Sequence, residues 1–214
     1  MRKLTKDDRN TFFAYYGWTI PVFLVVFWAI FYFTFRQIYA TKQYEQLVFF
    51  YAAYGLKNDA VHTKLQKKLE PQHCYEVNYY DYARDSSSII NAYSAVSSIC
   101  DFFVFSETDL VDMQETVQTN FMVIDSELTT KINLPAAYEF YSYSDGLNYG
   151  IKLFDKNDPT YSENIKYSSY INFSRGSDID TFYLVINKKS VNFNESAHHT
   201  LGYLGLDYLF NELS

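Results

Sequence analysis

Between Phe12 and Phe35 the chain runs FFAYYGWTIPVFLVVFWAIFYFTF, twenty-four residues without one charge. At about 1.5 Å of rise per residue, roughly 20 apolar residues cross the hydrocarbon core of a bilayer, so the run predicts a single transmembrane helix with some tilt. Tyr15, Tyr16 and Trp18 near one end, and Trp28 and Tyr32 toward the other, are the amphipathic rings that favour a membrane–water interface. Pro21 removes one backbone donor and predicts a kink within the span. Arg2, Lys3, Lys6 and Arg9 precede the run, whereas only Arg36 and Lys42 follow it closely. That excess places the N-terminus in the cytoplasm and the remainder outside. The apolar region exceeds the 7–15 residues of a cleaved signal, and Ala40 makes a poor cleavage site, so the reading is an uncleaved signal anchor. The expected division is a basic cytoplasmic N-terminus (1–11), a transmembrane helix (12–35), a short polar tether (36–45) and an extracytoplasmic domain (46–214), all in the cell membrane.

The segment after the tether is long enough for one compact domain with its own core. From Glu45 onward there are 12 Lys and Arg (18 in the chain minus 6 before it) and 23 Asp and Glu (25 minus 2), a net charge of −11. Nucleic acid and anionic headgroups are both repelled by such a surface, and neither is expected as a ligand. Two cysteines, Cys74 and Cys100, are too few for a disulfide framework, so the core must hold the fold.

The apolar run Leu47–Ala53 reads as a strand buried on both faces. Asn58–Glu70 follows as a helix, with Val61, Leu65 and Leu69 on one stripe, Asn58 as its N-cap and Pro71 as its stop. Tyr75–Tyr80 is a second strand, Ser86–Ser98 a helix, and Phe102–Phe105 a third buried strand. Ser106 with Asp109 forms a capping-box variant that opens a helix through about Gln118. Phe121–Ile124 is a fourth short strand. This alternation predicts an α/β fold, three layers with a mostly parallel sheet. Tyr138–Tyr143 and Tyr149–Phe154 flank Ser144-Asp145-Gly146 as a β-hairpin. Asp155–Asp178 reads as mostly loop, Thr181–Ile186 as a last strand and Glu195–Leu213 as a closing helix.

Several segments together resemble one lobe of the extracellular solute-binding proteins of bacterial ABC importers. The similarity is carried by Asp101-Phe102-Phe103-Val104-Phe105, the loop and helix start Ser106-Glu107-Thr108-Asp109-Leu110, the hairpin Asp145-Gly146-Leu147-Asn148-Tyr149-Gly150-Ile151, and Tyr183-Leu184-Val185-Ile186-Asn187-Lys188-Lys189-Ser190. The resemblance implies a non-enzymatic binding protein. It departs from the family in having a transmembrane helix where a lipid-bearing cysteine is usual, and in leaving no room for a second lobe. A single lobe lacks the hinged closure that traps a solute. The expected role is therefore an accessory or assembly subunit of a membrane transport complex, beside a membrane protein such as a transporter permease. The alternative is a weak membrane-tethered receptor for a sugar or peptide.

Ligands of open parallel sheets bind beyond the carboxyl ends of the strands. That nominates Tyr54 and Gly55 after the first strand, Asp81 and Tyr82 after the second, and Ser106 and Glu107 after the third. Asp145 and Tyr149 of the hairpin belong to a tyrosine-rich stretch suited to an interface. A plainer reading is that Ser106 caps a helix and the tyrosines fill surface and core. His198 and His199 are adjacent, and on a helix would point about 100° apart rather than pairing at i, i+4. His62 and His73 have no ligand spacing around them, so no metal is expected. No Walker, G-x-G-x-x-G or Ser–His–Asp pattern is present, so neither a cofactor nor a catalytic site is expected. Cys74 and Cys100 precede the second and third strands. In a 2-1-3 order they flank the first strand, too far apart for a disulfide, and are expected as free buried thiols. Asn172-Phe173-Ser174 and Asn194-Glu195-Ser196 are acceptor sequons that matter only in a eukaryotic secretory host.

Overall fold

A computed structural model describes residues 6–82, 89–158, 160–175, 177–195 and 199–213. It comprises two compact units, residues 1–40 and 41–214.

The N-terminal unit corrects the expectation of one uninterrupted span. It holds two helices, α1 (Lys6–Tyr16) and α2 (Thr19–Tyr39), broken at Gly17 and Trp18. Among the described residues no single helix is long and apolar enough to cross a membrane. Asn10–Tyr16 and Pro21–Phe35, bent by 52° at the break, pass the test of length and composition together. Pro21 explains where the break falls. Inside a helix its ring would clash with the carbonyl four residues back, that of Gly17. The chain breaks at Gly17 instead, which leaves Pro21 in the first turn of α2, where backbone donors have no partner in the helix anyway. Thr19 Oγ1 donates to the Tyr16 carbonyl at 2.6 Å across the break.

The second unit is built on a six-stranded sheet. In chain order it contains β1 (Gln46–Tyr51), α3 (Ala60–Leu69), β2 (Glu76–Asp81), α4 (Ile89–Val96), β3 (Phe102–Ser106), α5 (Glu107–Asp112), α6 (Gln114–Asn120), α7 (Ser126–Lys131), β4 (Phe140–Ser142), β5 (Asn148–Phe154), β6 (Ser174–Arg175), β7 (Asp178–Ile179), β8 (Phe182–Ile186) and α8 (Leu201–Asp207). The strand order is β2-β1-β3-β8-β5-β4, and β6 and β7 form a separate pair. The β1–β2 and β1–β3 ladders are parallel, as the alternating pattern predicts. The β3–β8, β8–β5 and β5–β4 ladders are antiparallel, so the sheet is mixed and its parallel half ends at β3.

Both faces of the sheet are covered, which accounts for strands of continuous apolar sequence. Leu47, Phe49, Tyr51, Phe102 and Val104 enter one core, with Val61, Leu65 and Leu69 of α3 and Leu201 and Leu206 of α8. Val48, Phe50, Phe103 and Phe105 enter the other, with Tyr93 of α4, Leu110 of α5 and Val117 of α6. Cys74 and Cys100 are free and buried, as expected. Burial pushes their thiols up to about 11 and about 12, which makes them unreactive near neutral pH.

The helix after β1 starts from Asp59 rather than from the expected cap Asn58, residues 86–88 of the next expected helix lie outside the described residues, and four expected elements differ. The helix after Ser106 is interrupted at Met113, giving α5 and α6. Phe121–Ile124 is not a strand but a single bridge from Phe121 to Asn187. The closing helix is α-helical only over Leu201–Asp207 and passes into a π turn at Tyr208–Glu212, while residues 196–198 of that expected helix lie outside the described residues. The segment read as loop contains 3-10 turns at Tyr161–Asn164 and Lys166–Tyr170 followed by β6 and β7. Ile165, Tyr167, Ile171 and Phe173 are buried there, all at odd positions.

Candidate functional site

Of the residues nominated after β1 and β2, Gly55 and Asp81 come together, whereas Tyr54 and Tyr82 do not join them. The Asp81 carboxylate accepts from the Leu56 backbone, and partial burial raises its pKa. Gly55 sits at φ +97°, where side chains are disfavoured, and a β-carbon there would meet Asp81 Oδ2 at 3.4 Å. Tyr54 donates through its hydroxyl to Asp178 and packs edge-on against Phe182. Tyr82 stacks on Phe50, on the opposite core.

The residues after β3 are engaged within the fold. Ser106 is buried, its Oγ accepts from the Asp109 backbone at 3.1 Å, and its own N–H donates to Asp109 Oδ2 at 3.0 Å. That is the capping box read from the sequence. The Glu107 backbone donates to the Thr181 carbonyl at 2.7 Å. Asp145 and Tyr149 lie apart from this group, at the hairpin. Asp145 accepts from the Leu147 backbone at 2.9 Å, Gln118 at 2.8 Å and Tyr149 at 3.1 Å. The Leu147 backbone bond comes first among the causes that lower its pKa.

A groove of about 700 Å³ adjoins the end of β1. Residues 54–57 run beside residues 170–172: the Tyr54 backbone donates to the Asn172 carbonyl at 3.0 Å and that of Lys57 to the Tyr170 carbonyl at 2.9 Å. The 3-10 turns and the end of β5 complete the wall. The floor is apolar, with Ile165 and the parallel rings of Phe154 and Phe173 (5.0 Å, 13°). The exposed charges that line it are Lys57, Lys166 and Glu163. The polar, irregular composition of residues 155–178 hides this feature from a sequence reading; the alternation of Ile165, Tyr167, Ile171 and Phe173 is the signal that marks an ordered segment.

Beneath this edge lies a buried polar cluster. Tyr51 Oη is 2.9 Å from His62 Nε2 and 2.5 Å from Tyr167 Oη, and Tyr79 stacks on the imidazole. His62 is 4% exposed and its Nδ1 has no partner. Burial lowers its pKa to about 4, so the ring is neutral near pH 7. At the opposite end of β3, Asp101 accepts from the Val48 backbone at 2.8 Å, Asn192 Nδ2 at 2.9 Å and Ser190 Oγ. Burial outweighs these donors and raises its pKa to about 6. Among the described residues no group of three or more His, Cys, Asp or Glu side chains is placed to hold a metal ion.

No protein-family model matches the chain, and no curated protein matches it in sequence. Solved structures with a similar course of the backbone include iron-bound HitA from Pseudomonas aeruginosa, with 6% identity, 78% of this chain and 81% of that one covered, and a TM-score of 0.41. Ferric iron-binding protein A of Mannheimia haemolytica, in an open conformation, has 12% identity, 79% and 87% coverage and a TM-score of 0.38. A TRAP periplasmic solute binding protein from Desulfovibrio salexigens has 8% identity, 78% and 75% coverage and a TM-score of 0.30.

Proposed function

We propose that this chain is a non-enzymatic membrane protein whose N-terminal helices tether an extracytoplasmic α/β domain, with the domain serving as an accessory or assembly subunit of a membrane transport complex. One observation carries the tether. Phe23, Val25 and Trp28 are 72%, 65% and 64% exposed, and no charge interrupts the surface from Phe12 to Phe35. Apolar burial is worth about 25 cal/mol per Å², so a surface of this kind is stable only when lipid or another helix covers it. Trp18, Pro21 and Trp28 are the residues through which the anchor would set its depth and its bend. The basic flank before the run supports a cytoplasmic N-terminus.

The test has two arms on the full-length protein. Extraction of membranes with alkaline carbonate leaves the chain in the pellet if it is inserted, and release into the supernatant contradicts the tether. Sedimentation of the mild-detergent extract then reports assembly: a particle larger than the monomer supports the accessory role, and a monomer with no partner contradicts it.

A second reading, a tethered receptor for a sugar or peptide, is favoured by the groove lined by Lys57, Phe154, Ile165 and Phe173, which neither Tyr54 nor Asp81 lines. Its volume lies within the range of small-ligand pockets, roughly 300–1,000 Å³. Ser106, Glu107, Asp145 and Tyr149 would serve as supporting residues rather than as contacts, given their bonds within the domain.

A further inference from the structure

We propose that the groove beside β1 binds a short apolar peptide through its free C-terminal carboxylate, with Lys57 and Lys166 as the carboxylate-binding cations. The inference rests on the receptor reading and deepens it by naming the ligand class and the site.

Charge points to the anion. In a domain of net charge −11, four lysines already hold carboxylates: Lys68 with Glu212, Lys131 with Glu127 and Glu195, Lys152 with Glu139 and Asp155, and Lys156 with Asp180. Lys57 and Lys166 hold none among the described residues, although acidic groups outnumber basic ones almost two to one. Both line the same groove. Two unpaired cations at one concavity of an acidic domain form a local site for an anion, because a charge-assisted hydrogen bond is roughly twice as strong as a neutral one.

The floor decides what body the anion carries. Ile165, Phe154 and Phe173 present apolar carbon, which binds hydrocarbon and gains nothing from a hydrated inorganic ion. Glu163 at the same groove opposes a multiply charged anion and favours a ligand with a cationic end. A molecule with one carboxylate, one ammonium and apolar side chains is a short peptide. The Ser169 hydroxyl, which donates to the Lys166 carbonyl at 2.7 Å, would accept from the peptide backbone.

Calorimetric titration of the full-length chain in detergent micelles tests this with Ala-Leu-Phe as the probe. The expected result is saturable binding that weakens at least tenfold when the C-terminus is amidated, and again in the Lys57→Glu, Lys166→Glu double variant. Both side chains are exposed, so the fold should survive, and an unchanged thermal melt verifies it. Equal affinity for the free and amidated peptides overturns the proposal. Binding of a sugar or peptide that the double variant leaves unchanged overturns the groove while keeping the receptor reading. No binding by any peptide or sugar overturns both.

Discussion

At the scale of single residues, His62 and Asp101 make opposite demands on pH. His62 has a pKa of about 4 in the fold against an ordinary value of 6.5, so the folded state takes up its proton less readily than the unfolded chain. Its contribution is fully present above pH 6.5 and is lost as the pH falls through 4. Asp101 is raised from 3.8 to about 6, so the folded state keeps that proton longer. Its contribution is fully present below pH 3.8 and is lost as the pH rises through 6. At about 1.4 kcal/mol for each tenfold change in proton affinity, each swing amounts to roughly 3 kcal/mol, and the two nearly cancel between pH 4 and 6. Urea denaturation across that window should therefore give a nearly flat stability. His62→Phe should uncover a decline with rising pH, and Asp101→Asn should uncover a rise. Asp101→Asn should also cost about 2–4 kcal/mol, because an amide cannot accept from all three donors that now meet the carboxylate. Parallel pH profiles for the two variants would contradict the assignment.

At the scale of elements, α8 is placed by its glycines. A β-carbon on Gly202 would lie 2.4 Å from the Phe193 ring, and one on Gly205 would lie 2.8 Å from Leu47 Cδ1. Gly→Ala in an ordinary helix interior stabilises by roughly 0.5–1 kcal/mol. Here the sign should reverse, to a loss of about 1–3 kcal/mol for each from overpacking, read as a lower urea midpoint. The break between α1 and α2 belongs to the same scale. Pro21→Ala restores the donor to the Gly17 carbonyl and removes the ring, so spin labels at Tyr15 and Trp28 should move apart as the two helices become one. An unchanged distance would mean that something other than Pro21 holds the bend.

The elements also show what can be read from the chain alone. The parallel half of the sheet is legible because continuous runs such as Leu47–Ala53 and Phe102–Phe105 occur only where both faces are covered, and Ser106 with Asp109 announces α5 through local hydrogen bonding. The antiparallel half is less so. The β8 strand has the same continuous composition as β1, and nothing local distinguishes the direction in which a buried strand runs. The π turn at Tyr208–Glu212 and the interruption at Met113 leave no periodic mark in the sequence. Tyr54 and Asp81 follow from the rule for strand ends, whereas Lys57, Glu163 and Lys166 converge only through the pairing of residues 54–57 with 170–172, a contact that spans more than half of the domain.

At the scale of the whole molecule, the second unit is a domain held by its two cores, without a disulfide. Thiol titration should find no reactive cysteine in the native chain and two after denaturation. The first unit is its opposite: from Phe12 to Phe35 it presents a charge-free run of aromatic and aliphatic side chains with too little interior of its own to bury them. In the function proposed above, the first unit would act as the tether and the second as an external binding or assembly domain. The most direct test is protease digestion of spheroplasts expressing the full-length chain. Protease added outside should remove residues 41–214 while a short N-terminal fragment stays with the membrane. A domain that resists digestion until the cells are lysed would contradict the external placement.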